Sequence, residues 1–322
     1  MNGSRFKAAW WLKNSHLQTL WPAICRREIK DLPIERERLE LPDGDFIDLD
    51  WVGSKEKEGP LVLVLHGLEG SIESHYARGM LQKIDREGWR GVFMHFRGCS
   101  GEPNRLPRGY HSGETGDLEY VVRILLERKN NQEMAAIGVS LGGNVLLKWL
   151  GETKEQNPLK AAVAVSVPFE LQKAASRIQS GFSRFYQWYF IRCLRERLTI
   201  KFKSQPSAVW DVETINQINT MYEFDDKITA PLHGFASVED YYARSSSRQY
   251  ISTIQIPTLI VHAKDDPFMS EDIIPDPNEL SLFVQLEITD GGGHVGFISG
   301  GLPWRPEFWL EKRAPEFLRE YL

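Results

Sequence analysis

Ala135-Ala136-Ile137-Gly138-Val139-Ser140-Leu141-Gly142-Gly143-Asn144-Val145 is the stretch on which the fold turns. A short apolar run ends in Gly-x-Ser-x-Gly, and a helical pattern follows. A strand that turns straight into a helix strains the backbone of the residue at its apex and lifts that side chain into the open. Here the apex is Ser140, flanked by Gly138 and Gly142, where a Cβ would crowd the neighbouring backbone. The start of the following helix aims free backbone N–H groups, and the positive end of its dipole, at the same spot. Leu141 N–H is therefore one candidate donor to a negative oxygen formed there. The motif alone also fits a plain glycine-rich turn, so its neighbours decide.

Working outward, Leu61–Leu65 is a continuous apolar run, as expected of a strand buried on both faces. It ends in His66-Gly67-Leu68-Glu69-Gly70-Ser71. A helix through Ala77–Ile84 follows, then a strand over Gly91–Phe96, a turn-rich loop from Arg97 to Asn104, and a helix to about Arg128. Beyond the elbow come a helix over Val145–Leu150 and a strand over Ala161–Val165. Such alternation implies parallel βαβ units with right-handed crossovers. Before it, Arg38–Leu41 and Phe46–Trp51 alternate apolar and polar residues around Pro42-Asp43-Gly44-Asp45, a hairpin signal.

The rhythm stops between about Phe169 and Tyr250. Phe182, Phe185, Tyr186, Trp188, Tyr189 and Phe190 are interleaved there with Arg177, Arg184, Arg192, Arg195 and Arg197. The stretch reads as inserted helices: a packing cap, an apolar lid over an acyl pocket lined by Phe182–Phe190, or a helix touching a membrane surface. The sheet resumes over Pro257–Ala263 and Phe283–Ile288, and a terminal helix is expected over Glu307–Leu322. The expected organisation is a core over 1–168 with an arm of about thirty residues that packs back onto it, a helical cap over 169–250, and the rest of the core over 251–322. The fold class is α/β, a mostly parallel doubly wound sheet with a helical cap insertion.

Composition narrows the function classes. At 322 residues with a net charge of −5 the chain lacks the basic excess of a nucleic-acid binder. Cys25, Cys99 and Cys193 form no disulfide framework or zinc pattern, which suits a reducing cytoplasm. The N-terminus shows no signal-peptide core and no segment is long and apolar enough to span a membrane. No histidine spacing suggests a metal site, and no cofactor is called for. Oligomeric state has no signature.

A serine hydroxyl becomes a nucleophile when a base takes its proton and a third group orients that base. Asp265-Asp266-Pro267 follows one late strand and Gly291-Gly292-Gly293-His294 follows the next. Both lie where the C-terminal ends of parallel strands converge. His294 is the candidate base and Asp266 the candidate acid, with Asp265 as its competitor. Leu68 N–H, after the strand at Leu61–Leu65, is the second candidate oxyanion donor beside Leu141 N–H. His66 reads as a shaper of the His66-Gly67 turn, and the remaining histidines as packing or hydrogen-bonding residues.

On Asn14–Thr19, Leu41–Phe46, His66–Ser71, Met94–Asn104, Tyr110–Thr115, Gly138–Asn144, Ile260–Met269 and Gly292–Phe297, the chain resembles the YheT-like branch of the α/β-hydrolases. These are esterase candidates related to eukaryotic acylglycerol and phospholipid hydrolases. The resemblance implies that fold, with Ser140, Asp266 and His294 as the catalytic triad. The expected function is a serine carboxylic ester hydrolase acting on small-molecule short- to medium-chain acyl esters through an acyl-enzyme. An acyltransferase using the same triad and a non-catalytic binding scaffold are the alternatives. Peripheral membrane contact stays open.

Overall fold

An eight-stranded sheet carries the chain in this computed structural model, which describes residues 4–26, 29, 32–53, 58–129, 132–204 and 212–322. In spatial order the strands are β1 (Glu35–Glu40), β2 (Phe46–Val52), β4 (Arg90–Met94), β3 (Leu61–Leu65), β5 (Met134–Val139), β6 (Ala161–Val165), β7 (Thr258–Ala263) and β8 (Val284–Thr289). β2 pairs antiparallel with β1 and β4, and all later pairings are parallel. The hairpin forms at the expected turn, though β1 starts at Glu35 rather than Arg38. From β3 the chain steps to β4 on one side and then to β5 on the other, so winding reverses there. Ligands of open α/β sheets bind beyond the strand ends at such a reversal.

Successive residues of β3 point to opposite faces, and both faces are covered. Leu61, Leu63 and Leu65 pack with Leu118 and Val122 of α3 (Gly116–Glu127) and with Leu146 and Trp149 of α4 (Leu141–Thr153). Val62 and Val64 join Met80 and Ile84 of α2 (Ala77–Arg86) and Phe317 of the terminal helix Leu310–Leu318. On β2, Asp48 and Asp50 are buried, and a lone buried carboxylate would be costly. Arg38 and Arg36 each meet one in a two-pronged contact at 2.7–2.9 Å. Although burial pushes the other way, the Arg36 and His95 hydrogen bonds lower Asp50 to about 2.

Between β6 and β7 every regular element among the described residues is helical, including α5 (Leu171–Arg177), α6 (Ser183–Ser204) and a π-helical turn at Asp225–Thr229. Ile191, Leu194, Leu198, Ile215, Phe224 and Ile228 give this insertion a cluster of its own. The leading arm packs back as α1 (Ser15–Cys25), with Ala9 and Leu12 against Ile298. Residues 1–3, 27, 28 and 30 of the arm and 205–211 of the insertion lie outside the described residues.

Three expectations are corrected. The terminal helix does not begin at Glu307: Arg305–Phe308 is a strand paired with Ile298–Leu302, and the helix is Leu310–Leu318. Pro306 and the buried partner Ile298 favour an extended edge there. α4 starts at Leu141 and runs to Thr153, beyond the expected Val145–Leu150, because the elbow leads straight into its first turn. The aromatic segment divides: Phe190 borders the apolar cavity beside Ser140, whereas Phe182, Phe185, Trp188 and Tyr189 are exposed. Phe182 lies just before α6, and helical spacing puts Phe185, Trp188 and Tyr189 on its outer side.

Candidate active site

Ser140 sits between β5 and α4 with φ 54° and ψ −119°, a backbone conformation that costs an L residue roughly 1–3 kcal/mol. The glycines make it possible. A Cβ on Gly138 would stand 2.6 Å from the Gly142 carbonyl oxygen, and one on Gly142 would stand 2.5 Å from the His66 carbonyl oxygen. The obstructing atoms are backbone and cannot yield, so α4 meets the end of β3 only because those side chains are missing.

The loop after β8 brings His294 to the serine. Its Nε2 lies 2.9 Å from Ser140 Oγ, and its Nδ1 lies 2.8 Å from Asp266 Oδ2. With Nδ1–H donated to Asp266, Nε2 keeps its lone pair toward the hydroxyl. The two aspartates part company here. Asp266 turns to the imidazole, and its other oxygen accepts the Phe268 N–H at 2.9 Å. Asp265 accepts the Gly293 N–H at 2.9 Å instead, and burial raises its pKa. Phe268 also stacks on the His294 ring, centroids 4.0 Å apart and planes 21° from parallel.

Sequence reasoning gave the arm a packing role and missed its grip on this loop. Thr19 Oγ1 accepts the His294 N–H at 2.9 Å. Gln18 accepts the Ile298 N–H at 2.7 Å and donates to the Ile298 and Leu12 carbonyls. A Cβ on Gly293 would lie 2.5 Å from the Ser15 carbonyl oxygen and one on Gly296 would lie 2.1 Å from that of Gln18. The only signal was the phrase Asn14–Thr19, whose partners lie near the other end of the chain.

His66 does shape its turn. Nδ1–H donates to the Gly67 carbonyl at 2.7 Å, Nε2 accepts the Phe96 N–H at 3.0 Å, and burial lowers its pKa to about 3. Burial likewise lowers His75 and His262 to about 4. These three stay neutral at ordinary pH.

Two spaces open from Ser140. A smaller, mainly apolar cavity of about 140 Å³ is bordered by Ser140, Leu68, Leu141, Ile178, Phe190 and Leu194. A larger cleft of about 670 Å³ runs past His294, Ser140, Ile24, Arg78, Phe185 and Tyr189. Leu68 and Leu141 thus flank the serine, and among the described residues neither N–H has a hydrogen-bond acceptor. The arrangement can deprotonate a hydroxyl, stabilise an oxyanion and return a proton.

A sheet of this topology with a serine at the β5 turn defines a class, and a family model for the alpha/beta hydrolase fold matches residues 60–301. The chain belongs to the α/β-hydrolase fold family and is a hydrolase of the esterase kind. Within it the chain falls in the YheT branch. It is 45% identical to YheT of Escherichia coli K12, a protein named as a candidate esterase, over 96% of this chain and 91% of that one. It is 31% identical to a monoacylglycerol lipase of Saccharomyces cerevisiae, over 77% of this chain and 57% of the lipase. Among solved structures, the Pyrococcus furiosus esterase Pf2001 shares the fold with a TM-score of 0.58 at 18% identity, over 92% of this chain and 96% of that one. Among the described residues, no helix is long and apolar enough to cross a membrane.

Proposed function

We propose that the protein is a serine carboxylic ester hydrolase that works through an acyl-enzyme on short- to medium-chain acyl esters. The observation that carries this reading is the run of contacts from Ser140 through His294 to Asp266, 2.9 and 2.8 Å long, beside two N–H groups without acceptors among the described residues. Ser140 Oγ attacks the ester carbonyl while His294 Nε2 takes its proton, and Asp266 stabilises the imidazolium. Leu68 and Leu141 N–H hold the oxyanion. As the tetrahedral intermediate collapses, the C–O bond to the alcohol breaks and His294 returns the proton to the departing oxygen. Water, deprotonated by His294, then releases the acid from Ser140. Asp266 is favoured over Asp265 as the acid because it is the one bonded to the ring.

The direction of that proton supports an orientation for the substrate. The alcohol must leave on the side of His294, which borders the larger cleft and not the smaller cavity. The acyl chain then occupies the cavity under residues 169–250, read as the cap on a core formed by 1–168 and 251–322. A volume of about 140 Å³ suits a short or medium chain, each buried methylene contributing about 0.8 kcal/mol. The monoacylglycerol lipase and phospholipase names of relatives support an acyl ester substrate. The larger cleft also has room for an acceptor alcohol, the observation that favours acyl transfer as a second reading. Three free cysteines support a cytoplasmic setting.

Ser140→Ala should abolish hydrolysis of p-nitrophenyl butyrate and labelling by a fluorophosphonate, with an unchanged far-ultraviolet circular dichroism spectrum. Full labelling of the variant would overturn the assignment. Product analysis with added alcohols separates hydrolysis from transfer: free acid throughout supports the former, and new esters the latter.

A further inference from the structure

The loop after β3 is tied so that one N–H remains open. Gly67 N–H donates to Tyr76 Oη at 2.9 Å, Glu69 N–H to Tyr110 Oη at 2.9 Å, and Gly70 N–H to the Gly67 carbonyl at 3.0 Å. Leu68 N–H, between the two tyrosine-bound groups, has no acceptor among the described residues. Glu69 has φ 54°, a left-handed conformation that disfavours a side chain of its kind. Something must hold it there, since relaxation to negative φ would swing the loop and carry Leu68 N–H with it.

The Glu69 side chain supplies the hold. Its Oε1 accepts the Tyr110 hydroxyl at 2.9 Å and pairs with Arg197 Nη2 at 2.7 Å. Tyr110 therefore grips both the backbone and the side chain of Glu69. It is itself fixed by stacking on Phe96, centroids 5.3 Å apart and planes 11° from parallel. The Arg197 guanidinium also lies 4.8 Å from the Tyr110 ring centre. The Glu69 side chain is 9% exposed and that of Arg197 is 23% exposed, so water screens this pair less than a surface one. Glu69 and Tyr110 belong to the sheet's loops, whereas Arg197 comes from α6 of the helical insertion.

We propose that Arg197, Glu69 and Tyr110 are positioning residues that aim Leu68 N–H at the oxyanion, so that the seating of α6 sets the strength of transition-state stabilisation. This rests on the ester hydrolase reading above. None of the three donates to the reacting oxygen; they act through the Leu68 peptide. Because the oxyanion forms only as the reaction proceeds, a misdirected donor lowers kcat while ground-state binding is retained.

The test compares wild type, Arg197→Met, Arg197→Lys and Tyr110→Phe on p-nitrophenyl acetate, whose acyl group is too small to reach the far cavity wall. Removing a whole oxyanion donor costs about 10²–10³ in kcat, so a misaimed one should cost about 10- to 100-fold. Arg197→Met should lose that much in kcat, with KM within about two-fold, and Arg197→Lys should recover most of it. Affinity for ethylboronic acid, whose adduct with Ser140 places an oxygen at the oxyanion position, should fall in step with kcat. A loss confined to KM, or unchanged kcat and boronate affinity in Arg197→Met and Tyr110→Phe, would overturn the proposal. If Arg197→Met does not fold, Tyr110→Phe, which removes one oxygen atom, decides alone. A wild-type protein that neither hydrolyses esters nor labels at Ser140 would sink the underlying reading, whereas an active wild type with indifferent variants would sink the clamp only.

Discussion

The two spaces that meet at Ser140 differ in size and wall. The smaller cavity is bounded by buried side chains of the insertion, Leu171, Ile178, Leu194 and Phe224, packed among their own neighbours. The cleft is rimmed by exposed Ile24, Phe185 and Tyr189, with Arg26, Glu73 and Arg78 along its side. A group too large for the cavity must displace close-packed walls, at a cost that rises with each added methylene. A group too large for the cleft projects into water. Selectivity should therefore be strict for the half of the ester on the cavity side and loose for the other half.

The largest expected effect leaves this contrast untouched. Asp266→Asn should lower kcat by roughly 10⁴ for every ester, by favouring the wrong imidazole tautomer. Asp265→Asn, acting only through the Gly293 loop, should cost far less. Steady-state kinetics on acetate and octanoate esters check both, and a reversed ranking would make Asp265 the acid.

The contrast itself is sharpened by filling the cavity. Ala174, on its wall, can be replaced by phenylalanine. Ala174→Phe should reduce kcat/KM for p-nitrophenyl octanoate by about 100-fold, the worth of three to four unburied methylenes. The acetate ester should change little, and equal losses on both would break the assignment of acyl chain to cavity.

A smaller effect follows from Asp225 on the same wall. Burial raises its pKa to about 6, although Thr229 and Tyr242 donate hydrogen bonds to it. Its folded pKa thus lies above the ordinary 3.8. The stabilisation linked to its proton is complete below that value and is lost as pH rises through about 6. Asp225→Asn should flatten this fall, of which about 1–1.5 kcal/mol lies between pH 5 and pH 8. Urea unfolding at pH 5 and pH 8 measures it; a parallel dependence in the variant would exclude Asp225 as the source. The smallest change should come from the cleft: Tyr189→Ala should alter KM only a few-fold, and only for esters of bulky alcohols.

What the sequence made legible follows interaction range. Continuous apolar runs at Leu61–Leu65 and Ala161–Val165 could only be strands buried on both faces, and they are. The Ser140 elbow was legible once the strand and helix patterns on either side were added to the Gly-x-Ser-x-Gly motif, because the glycines that make it tight lie within two positions of it. The chain order of strand ends put Asp265 and Asp266 near His294 without separating them; the contact of Asp266 Oδ2 with the ring does that. The strand at Arg305–Phe308 was hidden because its partner is another short edge strand, and an isolated Pro-Glu-Phe carries no period. The division of Phe182–Phe190 between cavity and surface depends on how α6 is rotated, which composition does not specify. The grips of Gln18, Thr19 and Arg197 join distant segments through single polar atoms, which leave no periodicity to read.

The hold of α1 on the histidine loop also dictates an order of events in folding. Gly142 meets the end of β3 across a modest chain separation, so the strained serine can form once the first half of the sheet exists. The His294 loop has no such local support: Thr19 and Gln18 reach His294 and Ile298 across 275 and 280 residues. Closing so long a loop carries an entropic cost that nearby contacts do not offset, so this clasp belongs late in assembly. During synthesis the arm emerges long before the histidine loop and waits for the chain between them before it finds its place. In refolding, the circular dichroism of the sheet should return ahead of esterase activity, and a simultaneous recovery of both would show that the clasp forms with the sheet.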